Sequence, residues 1–156
     1  MYSNEEIQNI LSKILIGRSV SQIDKSEDYV IQLNHNPLKD DSFPNLVLIN
    51  LLSEWYIKEL GAWKSLDSSF PINTSNLSIP YDPIKAFYLF YITENRKITN
   101  IKFGKDSILE IVFGNEFTIV LPSINDYNEY AWIISGRNLQ ISYNVDEKYC
   151  YYEEAY

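Results

Sequence analysis

The first apolar positions of the chain recur at helical spacing. Ile7, Ile10, Leu11, Ile14 and Leu15 fall on one face of a helix over residues 4–16. Ser3 or Asn4 caps its start, Glu5 and Glu6 sit where the helix dipole favours carboxylates, and Gly17 offers a stop. The spacing then changes to that of strands. Residues 20–23 form a short candidate, and over 29–33 the side chains of Tyr29, Ile31 and Leu33 alternate with Val30 and Gln32. Residues 35–44 carry Pro37, Asp40, Asp41 and Pro44 and read as a loop. The nearly all-apolar run 46–52 predicts a strand covered on both faces. Residues 54–57 are the next strand, or the same one continued past a bulge; 60–66, with Gly61 and Trp63, follow no clear pattern.

Residues 67–83 hold Pro71, Pro80 and Pro83 among Ser and Asn and read as a connecting loop. Asp82-Pro83 is a helix-start signal, so the apolar stretch 84–92 is expected as a helix, with a strand as the alternative. Beyond it, alternation is clean. Ile98, Ile101 and Phe103 lead in, and 108–113 and 116–121 flank the hairpin signal Gly114-Asn115. Tyr130, Trp132 and Ile134 alternate, then Gly136-Arg137-Asn138 turns the chain into Leu139, Ile141 and Tyr143. Residues 146–156 are an acidic, tyrosine-rich tail expected to fray.

The two halves look alike. Setting Val20 on Ile98 also sets Ser21 on Thr99, Gln22 on Asn100 and Ile23 on Ile101. The same offset places Asp28 on Asp106, Val30 on Ile108, Ile31 on Leu109, Gln32 on Glu110 and Leu33 on Ile111. With gaps, Glu54-Trp55-Tyr56-Ile57 resembles Glu129-Tyr130-Ala131-Trp132-Ile133. The expectation is a duplicated helix–hairpin–strand unit over 4–66 and 82–145. It predicts a single α+β domain, 1–156, of mostly antiparallel strands in one sheet or two packed sheets, with one or two helices covering a face.

Composition sharpens this picture in two respects. Tyr supplies 13 side chains, too many for the core alone, and exposed Tyr suits protein interfaces. The formal charge of −8 argues against direct binding of nucleic acid or an anionic membrane and fits a basic partner, although the same charge serves solubility alone. Cys150 is the only cysteine, so no internal disulfide forms and the cytoplasm is the expected location. The start, Met1-Tyr2-Ser3-Asn4-Glu5-Glu6, lacks the basic segment and apolar core of a secretion signal, and no apolar run has the length of a membrane span.

The search for chemistry returns little. His35 and Cys150 are far apart, and no metal-ligand spacing, nucleophile elbow or phosphate loop is present. Asn125-Asp126-Tyr127-Asn128-Glu129 echoes a calcium loop but lacks the central Gly; a solvated turn is the simpler reading. Glu54 and Glu129 could pair as an acid and a base if buried together, against the plainer alternative of strand carboxylates with ordinary partners. Trp55 and Trp132 sit in alternating apolar patterns and read as core rather than as a sugar platform; no cofactor or metal is expected.

The run Ile98-Thr99-Asn100-Ile101, the hairpin over 108–121 and the closing Glu129-Tyr130-Ala131-Trp132 resemble a group of small bacterial domains with a two-fold internal pattern. Such domains look like immunity proteins of polymorphic toxin systems, including contact-dependent growth inhibition. The chain differs from them in its looser first copy and in lacking a glycine-rich C-terminal end. The resemblance implies a cytoplasmic binding protein, not an enzyme, monomeric or weakly dimeric, that occludes a cognate toxin domain, often a nuclease. The acids of the loops, with one tyrosine, are the candidate contact residues: Asp40, Asp41, Asp126, Tyr127, Asp146 and Glu147. Two other classes stay open: a carbohydrate- or small-ligand-binding protein or hydrolase using a carboxylate pair, and a module that self-associates through a sheet edge.

Overall fold

The computed structural model describes residues 1–25, 28–34, 44–53, 55–58, 93, 94, 96–114 and 117–154. The expected loop over 35–43, the helix over 84–92, and Trp63 lie outside the described residues, as do Asp40, Asp41, His35 and Glu54.

Helix α1 spans Asn4–Leu15 and is closed by a capping box. The Ser3 hydroxyl accepts from the Glu6 amide at 3.2 Å, and the Glu6 carboxylate accepts from the Ser3 amide at 2.7 Å. Gly17 ends the helix at φ +91°, a left-handed conformation that a side chain would resist. The face carrying Ile7, Leu11, Ile14 and Leu15 is buried, each side chain contributing roughly 1.5–3 kcal/mol.

Among the described residues ten antiparallel strands follow: β1 (Val20–Lys25), β2 (Tyr29–Leu33), β3 (Val47–Leu51), β4 (Tyr56–Lys58), β5 (Ile98–Phe103), β6 (Leu109–Phe113), β7 (Phe117–Leu121), β8 (Tyr130–Gly136), β9 (Leu139–Asn144) and β10 (Tyr149–Glu154). They build one sheet in the order β1-β2-β3-β8-β9-β10 and a second in the order β4-β7-β6-β5. The domain is therefore α+β and mostly antiparallel, with two sheets.

The same order of three strands occurs twice. β1-β2-β3 is continued by β8, β9 and β10, and β5-β6-β7 is continued by β4, so the larger sheet takes three strands from the second half of the chain and the smaller takes one from the first. The register slips between Val20 and Gln22 in one sheet and between Ile98 and Asn100 in the other, a bulge at the same place in both. An antiparallel bridge between Ser19 and Lys97 joins the two stretches, with Gly17 donating to the Ile98 carbonyl and Ile98 donating to that of Arg18, both at 2.8 Å. The pairing sets Ile31 against Ile23 and Ile111 against Ile101. Ile31 thus corresponds to Ile111, not to Leu109 as the offset predicted, because five residues separate β5 from β6 and three separate β1 from β2.

Other expectations shift for physical reasons. β3 is central, yet its burial alternates: Val47, Ile49 and Leu51 face the core while Leu48 and Asn50 are half-exposed, so the strand is not sealed on both faces. β4 is neither a continuation of β3 nor its neighbour; after Ser53 the chain crosses to the other sheet and pairs with β7. The β6–β7 hairpin pairs Phe113 with Phe117, and Gly114 leaves β6 at φ +57°. Residues 149–154 do not fray. They form β10, paired with β9 from Tyr149 to Glu154, with Cys150 and half-buried Tyr152 packed on the core.

One apolar core joins both sheets and the helix. Phe103 of the smaller sheet meets Trp132 and Tyr143 of the larger edge-on, at ring-centre distances of 6.0 and 6.3 Å. The helix is pinned to β5 by Gln8, whose side-chain oxygen accepts from the Phe103 amide at 2.7 Å, and by Asn4, whose Nδ2 donates to the Gly104 carbonyl at 2.7 Å. Buried among these elements is Arg18, 1 % exposed. It donates to the main-chain carbonyls of Ile14, Asn34, Asn45 and Pro44 at 2.6, 3.1, 3.2 and 2.6 Å. Burial lowers its pKa from the ordinary arginine value, and four oriented carbonyl dipoles compensate the charge. Among the described residues no helix is long and apolar enough to cross a membrane.

Candidate functional site

Strand direction gathers the candidate residues. In the six-stranded sheet the last residues of β1, β3 and β9 and the first residues of β2, β8 and β10 share one end, as the pairs Lys25–Tyr29, Tyr29–Leu51 and Asn144–Tyr149 require. At this end lie the β7–β8 loop (122–129), with Asp126 and Tyr127, and the β9–β10 turn (145–148), with Asp146 and Glu147. Four of the six predicted contact residues are therefore brought to one end of the sheet; Asp40 and Asp41 are outside the described residues.

Asn144, 2 % exposed, joins the two segments. Its Nδ2 donates to Glu129 Oε1 at 2.8 Å, and its Oδ1 accepts from the amides of Asp146 and Glu147 at 3.0 and 2.9 Å. The Val145 amide donates to the Glu129 carbonyl at 2.9 Å. Glu147 accepts from the hydroxyl of Tyr151. The turn closes with Lys148 at φ +54°. Around it the carboxylates of Asp126, Glu129, Asp146 and Glu147 are exposed, and Asp28 of the β1–β2 loop is half-exposed at the same end.

The β7–β8 loop is braced from within. Asn125 donates to the carbonyls of Leu52 and Tyr130 at 3.0 and 2.8 Å and accepts from the Tyr127 amide at 3.0 Å; Asn128 accepts from the Tyr130 amide at 3.2 Å. The Asn spacing that echoed a calcium loop thus serves local backbone contacts, the ordinary use of Asn in turns. The bracing holds two large side chains in water: Ile124 is 71 % exposed and Tyr127 99 %. Sequence reasoning singled out Tyr127 but passed over Ile124 and Asn144, although Asn128 and Asn125 signalled a turn.

Glu129 is exposed and tied to Asn144, and its proposed partner Glu54 is outside the described residues. Trp132 is fully buried and stacked on Tyr143, and Trp55 is buried edge-on to Tyr29, so both are core side chains. Cys150 is buried on β10, and desolvation pushes its thiol up to about 12, which leaves it protonated and inert. Among the described residues no three His, Cys, Asp or Glu side chains are grouped to hold a metal ion.

No known family model, curated protein or solved structure matches this chain.

Proposed function

We propose that this protein is a binding protein, not an enzyme, that neutralises a cognate basic toxin domain by stoichiometric occlusion in the cytoplasm, as an immunity protein does. The observation that carries the reading is the joining of the β7–β8 loop to the β9–β10 turn through Asn144, which groups exposed carboxylates and an exposed Tyr on a braced surface. Carboxylates so placed mimic the phosphates of a nuclease substrate and steer a cationic partner to encounter, while an aromatic side chain supplies contact area at low entropic cost. The twice-used strand order is read here as a duplicated unit, which gives the surface a rigid base without contributing chemistry of its own.

The test is a pull-down of the tagged protein from its own organism, read by mass spectrometry. Recovery of a basic fragment at one-to-one stoichiometry, whose toxic activity falls in proportion to added protein, is the expected result. A monodisperse protein that recovers nothing would overturn it.

A further inference from the structure

We infer that Ile124 and Tyr127 form an apolar anchor that inserts into a pocket of a protein partner, a pocket whose rim carries Lys or Arg. The inference rests on the binding reading above and goes beyond it by separating the group that holds the partner from the groups that attract it.

The exposure of this pair is anomalous. A loop free to rearrange would fold an isoleucine and a tyrosine back onto the adjoining sheet, since covering them removes apolar area from water. Here they stay out, at 71 and 99 % exposure, because Asn125 ties the loop to Leu52 and Tyr130 on one side and to the Tyr127 amide on the other. The strand pairing of Tyr56 with Val120 puts a further half-exposed aromatic ring at the root of this loop, where β7 ends at Leu121. Among the described residues Met1, Tyr2, Leu46 and Tyr56 are the other exposed large apolar side chains, and Ile124 and Tyr127 are the two held on one braced segment. An anchor fixed in its bound shape before binding avoids the entropic cost of ordering, and few well-packed side chains carry most of an interface's affinity.

The occupant follows from what surrounds the anchor. Asp126 lies between the two apolar residues in the chain, and Glu129, Asp146 and Glu147 stand at the same end, with Lys148 among them. A second copy of this chain would bring like charges together. A lipid surface or a nucleic acid would meet the same repulsion. A protein pocket with a cationic rim satisfies both the apolar pair and the carboxylates.

The experiment places the photoreactive residue p-benzoylphenylalanine at position 127 and, as a control, at position 138, the exposed β8–β9 turn at the opposite end of the sheet. Both variants are expressed in the source organism, illuminated, and their adducts sequenced, after matching thermal melts establish that the fold is intact. The expected result is an adduct from position 127 alone, to one protein, through a peptide in which apolar residues are flanked by Lys or Arg. The isolated complex with Ile124→Ser should then dissociate at least about 30-fold faster with little change in association. An adduct from position 138 alone, or equally from both, overturns the anchor and leaves the binding reading standing. An acidic cross-linked peptide, or unchanged dissociation in Ile124→Ser, also overturns the anchor. No adduct from either position overturns the anchor and the binding reading together.

Discussion

Arg18 donates from Nη2 to the main-chain carbonyl of Pro44 at 2.6 Å, and the ring of Pro44 in turn fills the space above Gly136. A buried charge and a strand that lacks a side chain are thus coupled through one proline. Because Arg18 also satisfies the carbonyls of Ile14, Asn34 and Asn45, its removal leaves several acceptors without donors at once. Arg18→Met should lower stability by about 3 kcal/mol or more, read from the urea midpoint. Arg18→Lys should recover less than half of that loss, since an ammonium lacks the planar fork that reaches four carbonyls.

Gly136 tests the same contact from the other side. A Cβ there would lie 2.5 Å from Pro44 Cγ and 2.8 Å from Pro44 Cβ, closer than atoms pack. Gly136→Ala should destabilise by about 1–3 kcal/mol. Adding Pro44→Ala, which removes the nearer of the two atoms, should restore part of it, so a double-mutant cycle in thermal unfolding should show coupling. Additive effects would mean that the strand, not the proline, resists the methyl group.

The helix cap predicts an acid-side response. Ser3, by backbone and side-chain hydrogen bonds, holds the Glu6 carboxyl below its ordinary value of 4.5. A depressed folded-state pKa contributes stability that is present above the unfolded value and lost as pH falls through the folded one. Ser3→Ala, which removes the hydroxyl from the cap, should therefore lower stability at neutral pH. The gap between variant and parent should narrow as pH drops below 4.5, measured by circular dichroism melts in steps from pH 6 to pH 3.

Cys150 predicts the alkaline side. Its folded thiol is pushed up to about 12 by burial, against 9.0 for an ordinary thiol. The raised pKa means that its contribution is complete below 9.0 and is lost as pH rises towards 12. Relative to Cys150→Val, the parent should lose at most about 1.4 kcal/mol per pH unit in that window, a difference in which tyrosine ionisation cancels. At pH 8 the native thiol should resist iodoacetamide and react only at the rate of unfolding.

Much of this architecture is written in local pattern. The stripe from Ile7 to Leu15 and the alternation of Tyr29, Ile31 and Leu33 are complete signals, because each element's core face is set by its own residues. β10 was obscured because its acids and tyrosines mimic a solvated tail, although Cys150 and Tyr152 already alternated inward. The crossing of β4 to the second sheet left no local mark, since pairing with Thr118, Ile119 and Val120 is decided by partners distant in sequence. Nothing in the residues around Arg18 marks it as buried; only the approach of Pro44 and Asn45 reveals it. At the candidate surface the acids were visible one loop at a time; what joins them, Asn144 on Glu129, depends on the pairing of β8 with β9.

The exchange of strands has a consequence for how the molecule is made. The first sheet's central strand, β3, waits for β8, and β4 waits for β7, so neither half holds a finished sheet by itself. Contacts between residues so far apart in sequence are slow to form, because chain closure comes before the reward of pairing. A ribosome emitting this chain cannot seal the side of β3 until Gly136 has left the tunnel, and until then its apolar flank is exposed to whatever holds nascent proteins. Cut between β4 and β5, the two pieces should stay unfolded alone and regain one cooperative transition when mixed.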